Sequence, residues 1–171
     1  MTSLQMPKVQ KSTLLNREKI INDLGKILKS ENILKHEDQI RPYETDALTA
    51  YRQKPLIVVL PETVKEVSNI LKYCNENKIR VVPRGAGTGL TGGSLPLEDC
   101  VLLGMGKFNK ILEVDYKNKC VVAQPCVTNL AITHAVQNNN FYYAPDPSSQ
   151  IACSIGGNVA SNSGGVHSLK Y

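Results

Sequence analysis

The sequence predicts a folded region of the α/β or α+β class, and three observations support this prediction. Apolar residues recur at helical spacing in residues 16–29 and 63–77, and these segments alternate with short apolar runs at residues 56–60 and 79–82. Of the 171 residues, 42% are hydrophobic and 20% are charged, which is typical of globular proteins. The longest apolar run, residues 56–60, has the length of a strand and not the roughly 20 residues of a membrane span.

The individual elements follow from local signals. Thr63 is placed to cap the helix over residues 63–77, and Glu66 follows three residues later as the partner carboxylate of a capping box. Thr128 and Ser154 are placed to cap two further helices, the first over residues 129–137. Residues 1–12 are expected to be a loose polar start. Further strands are predicted at residues 101–103, 110–114 and 119–123.

Charge and cysteine content exclude several classes. The net charge is +5, and the basic residues are spread along the chain without the basic block that marks nucleic-acid binding. The five cysteines form no C-x-x-C pair, and the three histidines lie at no metal-ligand spacing from them. We therefore expect reduced cysteines, a cytoplasmic protein, no metal and no nucleic-acid partner. The first 20 residues contain no apolar core of a secretory signal.

The first glycine-rich segment, RGAGTGLTGGS at residues 84–94, predicts an anion site. Glycine at nearly every second position lets the backbone approach a ligand, and successive N–H groups in such a turn form an anion-binding concavity. Arg84 adds a positive charge, and three hydroxyl side chains add donors. A pyrophosphate suits this loop. The alternative is a glycine-rich surface turn.

A Rossmann nucleotide site is a second alternative. Gly87, Gly89 and Gly92 match G-x-G-x-x-G after a strand, and Glu113 lies about 20 residues further on. This alternative requires a helix to begin near Gly92, but the following residues Gly-Ser-Leu-Pro-Leu are a poor helix start. The P-loop pattern is not met at residues 104–107.

The second glycine-rich segment covers residues 144–165. Pro145 and Pro147 stiffen its start, and small residues dominate the rest. By itself the segment predicts a flexible loop or a binding site equally well. Together with the first segment it predicts two walls around one ligand with a phosphate middle and planar ends.

Both segments together resemble the flavin domain of the vanillyl-alcohol-oxidase type of FAD-dependent oxidoreductases, more narrowly the D-2-hydroxyacid dehydrogenases and the flavin subunit of glycolate oxidase. The motifs that carry the resemblance are VPRGAGTGLTGG at residues 82–93, PDPS at residues 145–148 and IGGNVASNSGG at residues 155–165. YETD at residues 43–46 and PETVKEV at residues 61–67 are also similar.

The resemblance implies a fold and a domain organisation. The fold is α+β, of the PCMH type, with two small α+β subdomains that hold FAD between them. Residues 1–34 would be an N-terminal polar segment and helix, and residues 35–171 an FAD-binding domain. The C-terminal part of that domain and the cap domain of relatives would be absent, because relatives continue beyond the position of Tyr171.

The resemblance also implies a cofactor site. The first loop would hold the pyrophosphate, and the second segment would lie along the ribityl chain and isoalloxazine ring. Some relatives bind FAD covalently through a His in the first loop; Thr88 stands in that neighbourhood, and we expect non-covalent FAD. The cofactor-binding residues would be Arg84, Gly85, Ala86, Gly87, Thr88, Gly89, Gly92, Pro145, Ser148, Gly156, Gly157, Asn158, Ser161, Asn162 and Gly165.

The implied activity is oxidation of a 2-hydroxy acid, of the glycolate or D-lactate class, to the keto acid. Implied partners are a second flavin subunit and an iron–sulfur subunit, through which the protein would be peripheral to the inner membrane.

No catalytic base is assigned: His134 fits a structural role on its helix, and His167 follows the second segment. Two alternatives to the enzyme remain, an inactive flavin-binding fragment or split subunit, and an NAD-binding module. A further relative on the same fold reduces a peptidoglycan sugar precursor with NADPH.

Overall fold

A computed structural model describes residues 6–170; residues 1–5, at the start of the predicted polar segment, and Tyr171 lie outside the described residues. The chain divides into two compact units. The first unit is Met1–Pro83 with Leu90–Gly104, and the second is Arg84–Gly89 with Met105–Tyr171. The predicted boundary between residues 34 and 35 stays a prediction.

The first unit is built on a four-stranded sheet. Its strands are β1 (Ile33–Leu34), β2 (Ile57–Val59), β3 (Arg80–Arg84) and β4 (Cys100–Gly104), in the spatial order β1-β2-β4-β3. β1 pairs antiparallel with β2, and β2 pairs parallel with β4. Its helices are α1 (Lys11–Leu15), α2 (Arg17–Leu24), α3 (Glu37–Ile40) and α4 (Val64–Glu76), with 3₁₀ turns at Ser30–Asn32 and Arg41–Tyr43.

The core of the first unit is formed by the two central strands. Every residue of β2 and β4 is buried, which is typical of parallel strands covered on both faces. Val58 and Leu102 pack with Ile40 of α3 in one apolar cluster. The predicted capping box of α4 is confirmed: Glu66 N–H donates to Thr63 Oγ1 at 3.2 Å, and Thr63 N–H donates to Glu66 Oε2 at 2.9 Å.

Three expectations for the first unit are corrected. The helix predicted over residues 16–29 ends at Leu24, and Gly25 follows as its C-cap residue with right-handed dihedral angles. The strand predicted to stop at Pro83 continues to Arg84; β3 is an edge strand, where a missing N–H is tolerated. The polar start is not loose from residue 8 onward, since Gln10 N–H donates to the buried Asp99 carboxylate at 2.6 Å.

The second unit combines a hairpin with two helices. Strands β5 (Ile111–Asp115) and β6 (Cys120–Ala123) pair antiparallel, with a bulge between Ile111 and Glu113. Helices α5 (Asn129–Val136) and α6 (Ile155–Ser161) follow, with 3₁₀ turns at Gln137–Asn139 and Val166–Leu169. The strands and caps lie within one or two residues of their predicted positions. Helices with mixed sheets confirm the α+β class.

Candidate functional site

The first glycine loop, Arg84–Gly89, folds closely on itself and on the start of α6. A Cβ at Gly85 would overlap Ser154 Oγ, so only glycine allows this approach. Gly87 has φ +73°, and a Cβ there would lie 2.5 Å from Arg84 Nη2. The Arg84 guanidinium therefore lies against the loop that it precedes and places a positive charge there.

The start of α6, in the middle of the second segment, is fixed by a side-chain cap and by backbone contacts. Ser154 Oγ accepts a hydrogen bond from Gly157 N–H at 3.3 Å and caps α6, as predicted. Gly156 N–H donates to Pro125 O at 2.8 Å, and a Cβ at Gly156 would lie 2.8 Å from Pro125 Cβ. Ile155 N–H donates to Val127 O at 2.8 Å. The lack of side chains thus lets α6 begin directly against the turn that follows β6.

The loop and the helix start border one cavity of about 310 Å³ within the second unit. Two further walls come from the connection between β4 and β5 and from the turn between β6 and α5. The described residues that line the cavity carry no charged side chain, so its lining is neutral. The lining residues are Gly85, Ala86, Gly106, Asn109, Cys126, Val127, Thr128, Ala131 and Ser154.

Several lining residues were not predicted as site residues. Gly106 and Asn109 come from a connection that carries no motif, and Cys126 lies in no motif either. Thr128 had a local signal, since it was predicted as a helix cap; its Oγ1 accepts a hydrogen bond from Ala131 N–H at 3.3 Å. Burial raises the pKa of the Cys126 thiol. These residues reach the cavity through the tertiary fold, which sequence spacing does not reveal.

The end of the second segment folds back on its start. Asp146 N–H donates to Gly164 O at 3.0 Å, and Asp146 and Gly165 form an isolated parallel bridge. Gly165 has φ +72°, and a Cβ there would overlap the backbone carbonyl of Asp146. Pro145 O accepts a hydrogen bond from the buried Asn129 Nδ2 at 2.9 Å. Residues 145–165 therefore form a closed loop that contains α6.

The predicted site residues are distributed unevenly. Gly85 and Ala86 line the cavity, and Gly156 and Gly157 belong to the first turn of α6 beside it. Arg84, Gly87, Thr88, Gly89, Pro145, Ser148, Asn158, Ser161, Asn162 and Gly165 belong to the same unit without lining this cavity. Gly92, with φ +77°, belongs to the first unit.

The two histidines weighed as bases lie in different surroundings. His134 is exposed on α5. His167 Nδ1 lies 3.0 Å from Asp146 Oδ1, in the 3₁₀ turn Val166–Leu169. Neither lines the cavity.

A second cavity of the same unit, of about 380 Å³, is bordered by the hairpin and by α5, and aromatic side chains line much of it. None of the predicted cofactor-binding residues lines this second cavity. The smaller cavity beside the glycine loop is therefore the candidate site.

The structure bears on other sequence expectations. Residues 85–99 contain no helix, so the helix that a Rossmann site requires near Gly92 is not formed. All five cysteines are free. Within residues 6–170, no helix combines the length and the apolar character needed to cross a membrane, and no cluster of potential metal ligands is found.

Comparison with known proteins identifies relatives. The model of a family described as "FAD binding domain" matches residues 55–171. The glycolate oxidase subunit GlcD of Escherichia coli K12 is 52% identical over 157 residues, which are 92% of this chain and 32% of that protein. GlcD of Bacillus subtilis is 42% identical, over 75% of this chain and 27% of its own length. A probable mitochondrial D-2-hydroxyglutarate dehydrogenase of rice is 32% identical, over 85% of this chain and 26% of that protein.

Solved structures share the fold. An alkyldihydroxyacetonephosphate synthase superposes with a TM-score of 0.79 at 20% identity, over 99% of this chain and 32% of that chain. A p-cresol methylhydroxylase superposes with a TM-score of 0.65 at 26% identity, over 84% of this chain and 29% of that chain. The chain spans about a third of the length of the curated relatives that it matches. By sequence and by fold, the chain belongs to the FAD binding domain family of the p-cresol methylhydroxylase type, and its cofactor is FAD.

Proposed function

We propose that this chain is the FAD-binding part of an oxidoreductase that converts a 2-hydroxy acid, of the glycolate or D-lactate class, to the keto acid. The observation that carries the proposal is the contact between Gly85 and Ser154, which joins the two glycine-rich segments at one cavity. The substrate class is supported by the names of the relatives, which are a glycolate oxidase subunit and a 2-hydroxyglutarate dehydrogenase.

The residues present fit FAD on three counts. The loop Arg84–Gly89 offers backbone N–H groups and a guanidinium, the donors that a pyrophosphate requires. The cavity beside the loop has no acidic lining. In α6, Asn158 is 7% exposed and its Nδ2 has no hydrogen-bond partner in the chain. Buried polar atoms normally have partners, and an acceptor on a bound flavin would supply one.

The residues of this chain bind and orient the cofactor. The Arg84–Gly89 loop would hold the pyrophosphate, and the segment from Pro145 to Gly165 would lie along the ribityl chain and the ring. When bound, FAD supplies the acceptor for the hydride from the substrate α-carbon. The group that takes the hydroxyl proton is not assigned to this chain, because neither His134 nor His167 reaches the cavity.

Attachment of FAD is proposed to be non-covalent. Thr88 stands in the neighbourhood where some members of the family have a histidine, and residues 84–94 contain neither His nor Cys. The cavity is nevertheless lined by Cys126. Precipitation of the loaded chain with acid should release all flavin into the supernatant. Flavin that stays with the pellet in the wild type, and not in Cys126→Ser, would contradict this expectation.

The relatives' description as subunits supports a proposal about partners and location. We include in the proposal a second flavin subunit and an iron–sulfur subunit that accept the electrons. The protein would be cytoplasmic and held at the inner membrane by those subunits.

A chimaera tests the proposal. This chain replaces the matched third of E. coli GlcD, and FAD binding and glycolate oxidation with a dye acceptor are measured. The intact GlcD is the positive control, and the isolated chain should bind FAD without turnover. A chimaera that binds FAD and oxidises glycolate supports the proposal. FAD binding without oxidation of glycolate or D-lactate favours the inactive flavin-binding fragment, and no FAD binding rejects both readings.

A further inference from the structure

We propose that Asp146 and His167 form a positioning pair that keeps the second segment closed around bound FAD. The two residues stand at opposite ends of the segment, one beside its first proline and one after its last glycine. Their Oδ1 and Nδ1 atoms lie 3.0 Å apart. The inference rests on the proposed function, because it assigns a role in holding the same cofactor.

The backbone already brings the two ends together. Asp146 N–H donates to Gly164 O at 3.0 Å, and Gly165 fits against the Asp146 carbonyl only because it has no side chain. Ser168 Oγ donates to Gly165 O at 2.7 Å and fixes the 3₁₀ turn that carries His167. The side-chain pair thus lies over an existing backbone contact and reinforces it.

The pair gives a buried carboxylate oxygen a polar neighbour. Asp146 Oδ1 is buried and accepts no hydrogen bond of regular geometry, so the His167 ring nitrogen at 3.0 Å is what offsets the cost of its burial. The His167 side chain is 45% exposed. The ring of Tyr142 covers one side of the imidazole, with the ring centroids 6.4 Å apart.

The pair can act on the cofactor because of what lies between its members. Residues 147–166 contain Ser154, which lines the cavity, and α6, which holds the unpartnered Asn158 amide. If the ends separate, these groups lose their fixed position relative to the rest of the segment. Release of FAD should then accelerate, although neither member of the pair touches the flavin.

The experiment measures the rate at which FAD leaves the chain, by recovery of flavin fluorescence after dilution. Asp146→Asn and His167→Gln each remove one member of the pair and should accelerate release about three- to tenfold. The double variant should release FAD no faster than the faster single variant, because one interaction is removed in all three. His167→Arg keeps a nitrogen donor for the Asp146 carboxylate and should stay within about twofold of the wild type.

Thermal unfolding of the FAD-free variants separates this role from folding. Unchanged midpoints together with faster release support the inference. Single variants that release FAD like the wild type, or a double variant in which both effects multiply, overturn it. If Asp146→Asn does not fold, His167→Gln and His167→Arg decide the matter, and equal release rates overturn the inference. A wild-type chain that binds no FAD refutes the proposed function and the inference with it.

Discussion

The two units of this chain achieve close packing by opposite means. In the first unit, the strands β2 and β4 are buried along their whole length and are mostly large and apolar, as at Val58 and Leu102. In the second unit, glycines allow close approach at Gly85, Gly156 and Gly165, where an added Cβ would overlap neighbouring atoms. Burial of each large side chain contributes about 1.5–3 kcal/mol, whereas each glycine costs conformational entropy.

The difference shows what a cofactor site requires. Large side chains around a site would pack against one another and cover the backbone N–H groups. A wall of glycines leaves N–H groups available to an anion, and it must be held in place by caps, backbone hydrogen bonds and ion pairs. Substitutions should therefore have different consequences in the two units.

The largest difference is expected between two glycines. Gly165→Ala introduces a Cβ at φ +72° against the Asp146 carbonyl and should lower the free energy of unfolding by about 2–4 kcal/mol. Gly93→Ala in the first unit should change it by less than about 0.5 kcal/mol, because the nearest atom lies 3.9 Å from the new Cβ. Urea unfolding followed by circular dichroism measures both. Equal destabilisation would refute the assigned role of Gly165.

Two helix caps give an intermediate effect. Thr63→Ala removes the α4 cap of the first unit, and Ser154→Ala removes the α6 cap of the second; each should cost about 1 kcal/mol of stability. Only Ser154→Ala should also weaken FAD binding, by about three- to tenfold, because its hydroxyl lines the cavity. Titration with FAD at a temperature where both variants are folded makes the comparison. Similar losses of affinity in both would speak against the cavity as the site.

The smallest effect concerns the rate of thiol alkylation. The pKa of Cys126 is raised by burial, so little thiolate is present at pH 8 and its reaction with iodoacetamide should be slow and accelerate as the pH rises. Saturating FAD should slow it further, because Cys126 lines the cavity. The exposed Cys120 should react at the same rate with and without FAD. Cys100, whose pKa is raised to about 12, should not react. Peptide mass spectrometry after timed alkylation distinguishes these sites, and no protection of Cys126 would place FAD elsewhere.

Local features of this fold could be predicted from the sequence. The caps Thr63, Thr128 and Ser154 act within three residues of their own position, and the buried strands β2 and β4 are continuous apolar runs. Each depends on neighbouring residues only. The glycine-rich segments could be assigned to one site because their spacing and their resemblance to a family agree.

Features that depend on distant parts of the chain could not be predicted. The two-residue strand β1 has no pattern of its own and forms because β2 accepts it as a partner. Asn109 and Cys126 line the cavity because β5 and β6 bring their flanking turns beside the glycine loop. Asp146 and His167 lie at the two ends of a loop of about 20 residues. They meet because Gly164 and Gly165 make backbone contacts with Asp146, and no rule of sequence spacing predicts those contacts.

The anchoring of Asp99 bears on how the domain can be trimmed. This fully buried carboxylate accepts a hydrogen bond from Gln10 N–H and pairs with Arg80 at 3.2 Å. A polypeptide cut to residues 55–171, the span of the family model, would lose the first of these partners together with β1. The matched span therefore omits part of the first unit, and expression of the shorter piece should yield an insoluble product.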